Sequence, residues 1–486
     1  MRNLKNLFVL LMLLPFFGFS TTKINGYTVK GFKGKEVNLI EYQDFITKKY
    51  RILKTVKVDT NGRFTFNLNI KKTQEALIQI DYLIGIIYLD ANQEYTIFFP
   101  PYSENGVNHL TRNHANIKFK FIPKTDINNL IIEFNQKYDK FLEVYLKRSN
   151  QGYLGNKTYH KKLDVFKKEV FAEFKTIKNT YFSTYVKANL AELELIAQAR
   201  QSKVSKLNVY NTFIINKKIH FDNAAQIGFL KKFYEKSFMD PGKIFHEIDA
   251  AINKHGSLDK LEAALKKDYF YKMQKIRQLV IVDNLYTLFY NKNYNQKNIL
   301  KILKELRNKS KSSEIRILAK NVISELLKMN IGTKAVDFKL ISNKGKEVSL
   351  SDFKGKYVYL NFWAVWNKDS QKEMGLYPDF IQKYGENIEF VSINIDSKKR
   401  KFDTFLATHP KYNWTMLHYG GNSNLLDEYE LASLPKYILI DPKGNIVQYP
   451  ANRPTPNGNY VSIDKTFFDI KKKKTKKGSF KIGGKN

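Results

Sequence analysis

Along residues 22–101 apolar and polar side chains alternate with a period of two, broken by turn residues at short intervals; this is the pattern of half-buried strands. Six runs rich in β-branched and aromatic residues stand out: Glu36 to Tyr42, Ile52 to Val58, Arg63 to Leu68, Ala76 to Ile80, Ile84 to Leu89 and Glu94 to Phe99. Asn61-Gly62, between the second and third runs, offers two residues that tolerate positive φ and so predicts a hairpin. After it Phe64, Phe66 and Leu68 alternate with Arg63, Thr65 and Asn67, which gives one buried and one wet face. The segment reads as a small antiparallel β domain, a sandwich.

From about residue 125 to residue 330 the apolar period lengthens to that of a helix. Asp126 is placed to cap a helix with Leu130, Phe134, Tyr138, Phe141 and Tyr145 on one stripe. A second run starts near His160, with Val165, Phe166, Val170, Phe171 and Phe174 expected to face inward. Leu261 to Tyr290 and Ile299 to Leu327 continue the pattern, interrupted at Asn308-Lys309-Ser310, and Asp240-Pro241-Gly242 marks a turn. Aromatic stripes at this spacing are core rather than a cofactor box, and the region is an α-helical part without an assigned task.

Residues 331–470 read as α/β. Tyr357 to Phe362, Phe390 to Ile395 and Tyr437 to Ile440 are short buried strands, and Ile446 to Tyr449 follows the Asp441-Pro442-Lys443-Gly444 turn. The chain is therefore expected to be multidomain: an N-terminal antiparallel β domain, an α-helical middle and a C-terminal α/β domain.

A chain of 486 residues with 43% hydrophobic residues supports several cores. Arg2 and Lys5, the apolar run Leu7 to Phe17 and Gly18-Phe19-Ser20 have the order of a secretory signal peptide over residues 1–20. The run is shorter than the ~20 residues of a spanning helix, so export with cleavage is expected. No cysteine follows it, which excludes a lipoprotein anchor at that point and points to a periplasmic or envelope location. Net charge is +36, from 82 basic and 46 acidic residues. Scattered lysines in a chain rich in Asn, Ile and Tyr fit compositional bias, whereas Lys471 to Lys474 with Lys476 and Lys477 form a dense block, expected within a solvated basic tail over 471–486. Such charge suits anionic glycan or lipid.

The chemistry-bearing segment is Asn361-Phe362-Trp363-Ala364-Val365-Trp366-Asn367-Lys368-Asp369-Ser370-Gln371-Lys372-Glu373-Met374. It resembles the active-site segment N-F-W-A-x-W-C-x-x-C-x-x-E-M of the exported thioredoxin-like family of the ResA and TlpA type. Gly332 to Phe338 is similar to that family's opening segment, and Ser351 to Lys356 to the loop before its first central strand. Ser433-Leu434-Pro435-Lys436-Tyr437 resembles the segment carrying its cis-proline. Val58-Asp59-Thr60-Asn61-Gly62-Arg63-Phe64-Thr65-Phe66 resembles a turn in the N-terminal β domain that precedes such modules in exported Bacteroidetes proteins. The resemblance implies a thioredoxin fold over 331–470, a cis peptide before Pro435, and a groove facing it that holds an extended chain.

Both cysteine positions of that motif are altered here, to Asn367 and Ser370, and the composition counts no cysteine at all. Thiol–disulfide exchange needs a thiolate nucleophile and a resolving thiol, so this chain alone lacks that reaction and no catalytic residue is assigned. Asn367 is a strong N-cap and Asp369 complements the helix dipole. Ser370 has no histidine nearby to activate it as a nucleophile. The eight histidines show no metal-ligand spacing, Gly152 to Thr158 departs from a phosphate loop, and no cofactor, metal or nucleic-acid signature emerges. The expected task is non-catalytic: an envelope protein or extended peptide held in a groove of Trp366, Asn367, Ser370, Leu434 and Pro435, with Trp363 in the core. The rivals are a thiol-disulfide oxidoreductase, by family resemblance, and a polyanion-binding scaffold.

Overall fold

The structure, a computed structural model, describes residues 21–81, 83–101, 113–145, 156–198, 203–240, 242–456 and 461–479. The expected signal peptide and His109 lie outside them.

The N-terminal part is a two-sheet sandwich. Its strands are β1 (Thr22–Tyr27), β2 (Glu36–Tyr42), β3 (Tyr50–Lys57), β4 (Arg63–Leu68), β5 (Gln74–Ile80), β6 (Leu83–Leu89), β7 (Glu94–Phe98), β8 (Asn113–His114) and β9 (Lys118–Phe119). One sheet has the order β4-β1-β7-β9 and the other β3-β2-β5-β6-β8. They are mixed rather than purely antiparallel as expected, because β1 runs parallel to β7 and β6 parallel to β8. Parallel pairs join segments distant in sequence, so local alternation carried no sign of them. Ile24, Phe64 and Phe66 from one sheet meet Val37, Leu39 and Ile78 from the other in a common core. Gly26 sits under the Phe64 ring, where an added Cβ would lie 2.0 Å from a ring carbon.

The Asn61-Gly62 turn forms, with Asp59 Oδ1 accepting from the backbone N–H of Asn61 at 2.8 Å and Arg63 at 2.7 Å. It is not the turn of a paired hairpin, however. It carries the chain from β3 in one sheet to β4 in the other, because Val58 and Phe64 on either side are both drawn into the shared core.

In the helical part Asp126 caps the helix Ile127–Tyr145, its carboxylate accepting from Asn128 N–H at 2.8 Å. In the helix Asn156–Glu173 the buried stripe is Tyr159, Leu163, Phe166 and Val170, while Val165 and Phe171 are exposed, contrary to expectation. The 163-166-170 spacing follows the helical repeat and puts both exceptions on other faces. Helices Leu258–Lys266, Gln274–Leu288, Gln296–Lys309 and Ser313–Leu327 share the largest core. The break at Ser310 is where the last two meet. The loop between β2 and β3 docks the sandwich on this region: Asn321 donates to Asp44 at 2.8 Å and Lys49 to Ser324 at 3.0 Å.

The C-terminal part is built on β10 (Lys339–Ser342), β11 (Glu347–Ser349), β12 (Tyr357–Trp363), β13 (Ile388–Asn394), β14 (Thr415–His418), β15 (Lys436–Ile440) and β16 (Ile446–Gln448). The sheet order is β11-β10-β14-β13-β12-β15-β16, with β14, β13 and β12 parallel and β15 antiparallel to β12. Central β12 sends Val358, Leu360 and Phe362 into one core and Tyr359 and Trp363 into the other, which is why it reads as a continuous apolar run. The closing helix Ile463–Ser479 buries Ile463 and Phe467 against the second core and carries residues 471–479, expected as a tail, as further helical turns. No helix of the described residues is long and apolar enough to cross a membrane.

Candidate functional site

β12 ends at Trp363, and the chain turns through Ala364 to Trp366 into the helix Lys368–Met374. The turn is pinned from below. Val365 N–H donates to Asp396 Oδ2 at 2.7 Å, and that same oxygen accepts from the Asn394 amide at 2.7 Å. His418 holds the neighbouring backbone, with Nε2 against Asp396 O at 2.7 Å and Nδ1 accepting from Gly420 N–H at 3.0 Å. These partners assign a neutral ring protonated on Nε2, and burial lowers the histidine's pKa in agreement.

Asn367 is the N-cap of that helix. Its Oδ1 accepts from Ser370 N–H and from the Ser370 hydroxyl, each at 2.8 Å. The two residues at the motif's altered positions are thus bonded to each other, and Ser370 is completely buried. Ser370 therefore presents nothing to a groove, contrary to its expected role, since its one proton is spent on the cap. Trp366 is 48% exposed, whereas Trp363 is wholly enclosed, its ring 5.1 Å from that of Phe405. Leu434 and Pro435 are half-buried, and the peptide between them is cis. The Tyr449–Pro450 peptide is cis as well, which the sequence did not announce.

An open groove of about 550 Å³ runs along one side of this arrangement. Pro435 lines it, together with Asp369, Lys372 and Glu373 from the helix and Arg453 from the loop beyond β16. Trp366, Asn367, Ser370 and Leu434 stand outside its walls. Glu373 is the charged centre: it is 4% exposed, and its Oε1 meets Arg453 Nε at 2.6 Å. Burial raises the Glu373 pKa, against the opposing pull of the Tyr437 hydroxyl and the Arg453 guanidinium. Tyr437 interacts electrostatically with the carboxylate, yet neither its hydroxyl nor Glu373 Oε2 has a hydrogen-bond partner of good geometry. Sequence reasoning recorded Glu373 only as part of the motif and missed Arg453, because eighty residues of chain separate them and only folding brings them together. Among the described residues no grouping of three or more His, Asp or Glu is placed to hold a metal.

A central parallel core, a helix leaving the end of β12 and a proline loop opposite define a thioredoxin-type domain. The sequence profile described as AhpC/TSA family matches residues 331–449. A thiol-disulfide oxidoreductase ResA of Bacillus thuringiensis subsp. konkukian is 33% identical over 122 residues, which cover 25% of this chain and 69% of the relative. The ResA of Geobacillus kaustophilus is 32% identical over 133 residues, covering 26% and 73%. Among solved structures, the thioredoxin domain of a thiol-disulfide oxidoreductase from Bacteroides vulgatus is 23% identical with a TM-score of 0.25, covering 29% of this chain and 96% of that one. The chain belongs to the thioredoxin-like family of the ResA and TlpA type.

Proposed function

We propose that this chain is a redox-silent member of its family that holds an extended segment of a protein partner beside Trp366 and the Pro435 loop, outside the cytoplasm. The observation that carries the reading is the Asn367–Ser370 pair: the positions that hold thiols in the family motif are spent on capping a helix. The chain contains no other cysteine to take their place. The features suited to holding a chain are retained: an exposed indole, a half-buried proline loop, and a groove walled by Glu373 and Arg453. A partner strand laid there would gain backbone hydrogen bonds in the manner of strand addition.

The first test is catalytic. Purified protein should reduce insulin disulfides no faster than buffer with dithiothreitol alone, and a rate above that background would defeat redox silence. The second test concerns binding. Replacing Trp366 and Pro435 together should abolish partner capture while the circular dichroism spectrum stays that of the parent.

A second reading, a polyanion-binding scaffold, draws support from the helix Ile463–Ser479, which carries seven lysines against two aspartates. Binding of that kind collapses with ionic strength, since exposed charges are screened beyond about 8 Å at physiological salt. Groove binding persists.

A further inference from the structure

Remote from the thioredoxin-type groove, the helical part encloses a cleft of about 370 Å³ with two unlike halves. Its floor is apolar at Ala188 and Ala191 of the helix Thr180–Gln198, Phe213 of the π-helical turn Tyr210–Ile214 and Phe229 of the helix Ala224–Phe233, while the Ser183 and Thr184 hydroxyls beside them both donate to Thr180 O. Its rim is cationic through Lys187, Lys217 and Lys218, with His220 beside them. No carboxylate lines it. The nearest acidic neighbour of His220, Asp222, is taken up by Lys72.

The rim is held in place rather than left loose. Gln226 accepts from His220 N–H at 2.7 Å and donates to Lys218 O at 3.1 Å, so one side chain clamps both ends of the lysine–histidine stretch. Asn216, at φ 58°, turns the chain directly out of the π-helical turn and toward Lys217. The π-helical turn closes with an i→i+5 bond, Ile215 N–H donating to Tyr210 O at 2.9 Å, and such turns recur at functional sites; here it carries Phe213 to the floor.

Three lysines gathered at the mouth of an apolar cleft repel one another, and their field favours an anion there. The floor offers an anion nothing, but it suits hydrocarbon, and the volume falls in the range of small-molecule sites. We propose that this cleft binds a single-chain amphiphile with an anionic head, the head against Lys187, Lys217 and Lys218 and the chain along Ala188, Ala191, Phe213 and Phe229. The head chemistry is shared by carboxylates and phosphate monoesters, and the test separates them.

The full chain is titrated calorimetrically with octanoate, octyl phosphate, octanol and acetate, all below micellar concentration. Octanoate or octyl phosphate should bind at one site per chain, the tighter of the two naming the head, with octanol and acetate each at least tenfold weaker. The triple substitution Lys187→Gln, Lys217→Gln, Lys218→Gln should weaken the preferred anion at least tenfold. If that variant melts early, Thr212→Trp, which fills the cleft from its exposed rim, should remove binding instead. No binding of either octyl anion at millimolar concentration would overturn the proposal. So would equal affinity in the variant that folds, or acetate or octanol binding as well as octanoate.

Discussion

Asn367 does two jobs with one oxygen: it caps the helix Lys368–Met374 and gives the buried Ser370 hydroxyl its acceptor. Losing the cap costs about 1 kcal/mol, and leaving a buried hydroxyl without its acceptor costs about 1–3 kcal/mol more. Asn367→Ala should therefore destabilise by roughly 2–4 kcal/mol in urea unfolding, more than Ser370→Ala, which leaves the cap's backbone bond in place. Asn367→Asp should stay close to the parent. Glu373 yields a prediction in pH. Its pKa in the folded protein is raised, so the folded state holds that proton more tightly than the unfolded chain does. Stability from this group is complete at pH values below the ordinary carboxyl range and is lost as pH rises through the folded value. The stability difference between Glu373→Gln and the parent should shift in favour of Gln as pH rises above the ordinary carboxyl range. A difference that moves the other way would mean that the Arg453 ion pair outweighs burial.

Between elements, the sandwich meets the helical part through aromatic side chains around a carboxylate. Glu75 of β5 sits opposite Tyr88 of β6, and Tyr181 and Tyr185 of the helix Thr180–Gln198 bring their rings to 5.8 and 6.4 Å from that of Tyr88. Burial pushes Glu75 from 4.5 up to about 7, opposed by the Tyr88 hydroxyl and by Lys48. The sign follows as for Glu373: the parent loses stability relative to Glu75→Gln as pH rises from about 4.5 to 7, and the difference is flat above that. Chemical unfolding at pH 4.5, 6 and 7.5 reads it, and a pH-independent difference would show that the carboxylate is solvated.

At the scale of the whole molecule, what the sequence disclosed follows from how local each signal is. The breaks around Ser310, the Asp126 cap and β12 were legible, because a period, a cap or a buried run lies within a dozen residues. β1 was not singled out, since Asn25-Gly26 inside it imitates a turn, and Gly26 is there to admit the Phe64 ring. β10, β11 and β14 are three or four residues long, too short for a period to register. The parallel pairings in the sandwich and the Glu373–Arg453 contact are made only when distant segments meet. In the candidate site the altered motif and its proline were readable as a linear string. The burial of Ser370 and the groove's charged wall required the fold.

Whether a partner is held beside Trp366 and the Pro435 loop without redox chemistry is read by capture from an envelope extract at low and at 1 M salt. The parent is compared with a Trp366→Ala, Pro435→Ala variant. A discrete partner should be retained by the parent at both salt concentrations and lost by the variant at both. Capture that vanishes with salt, or that the variant keeps, would contradict it and shift the function to the basic surface.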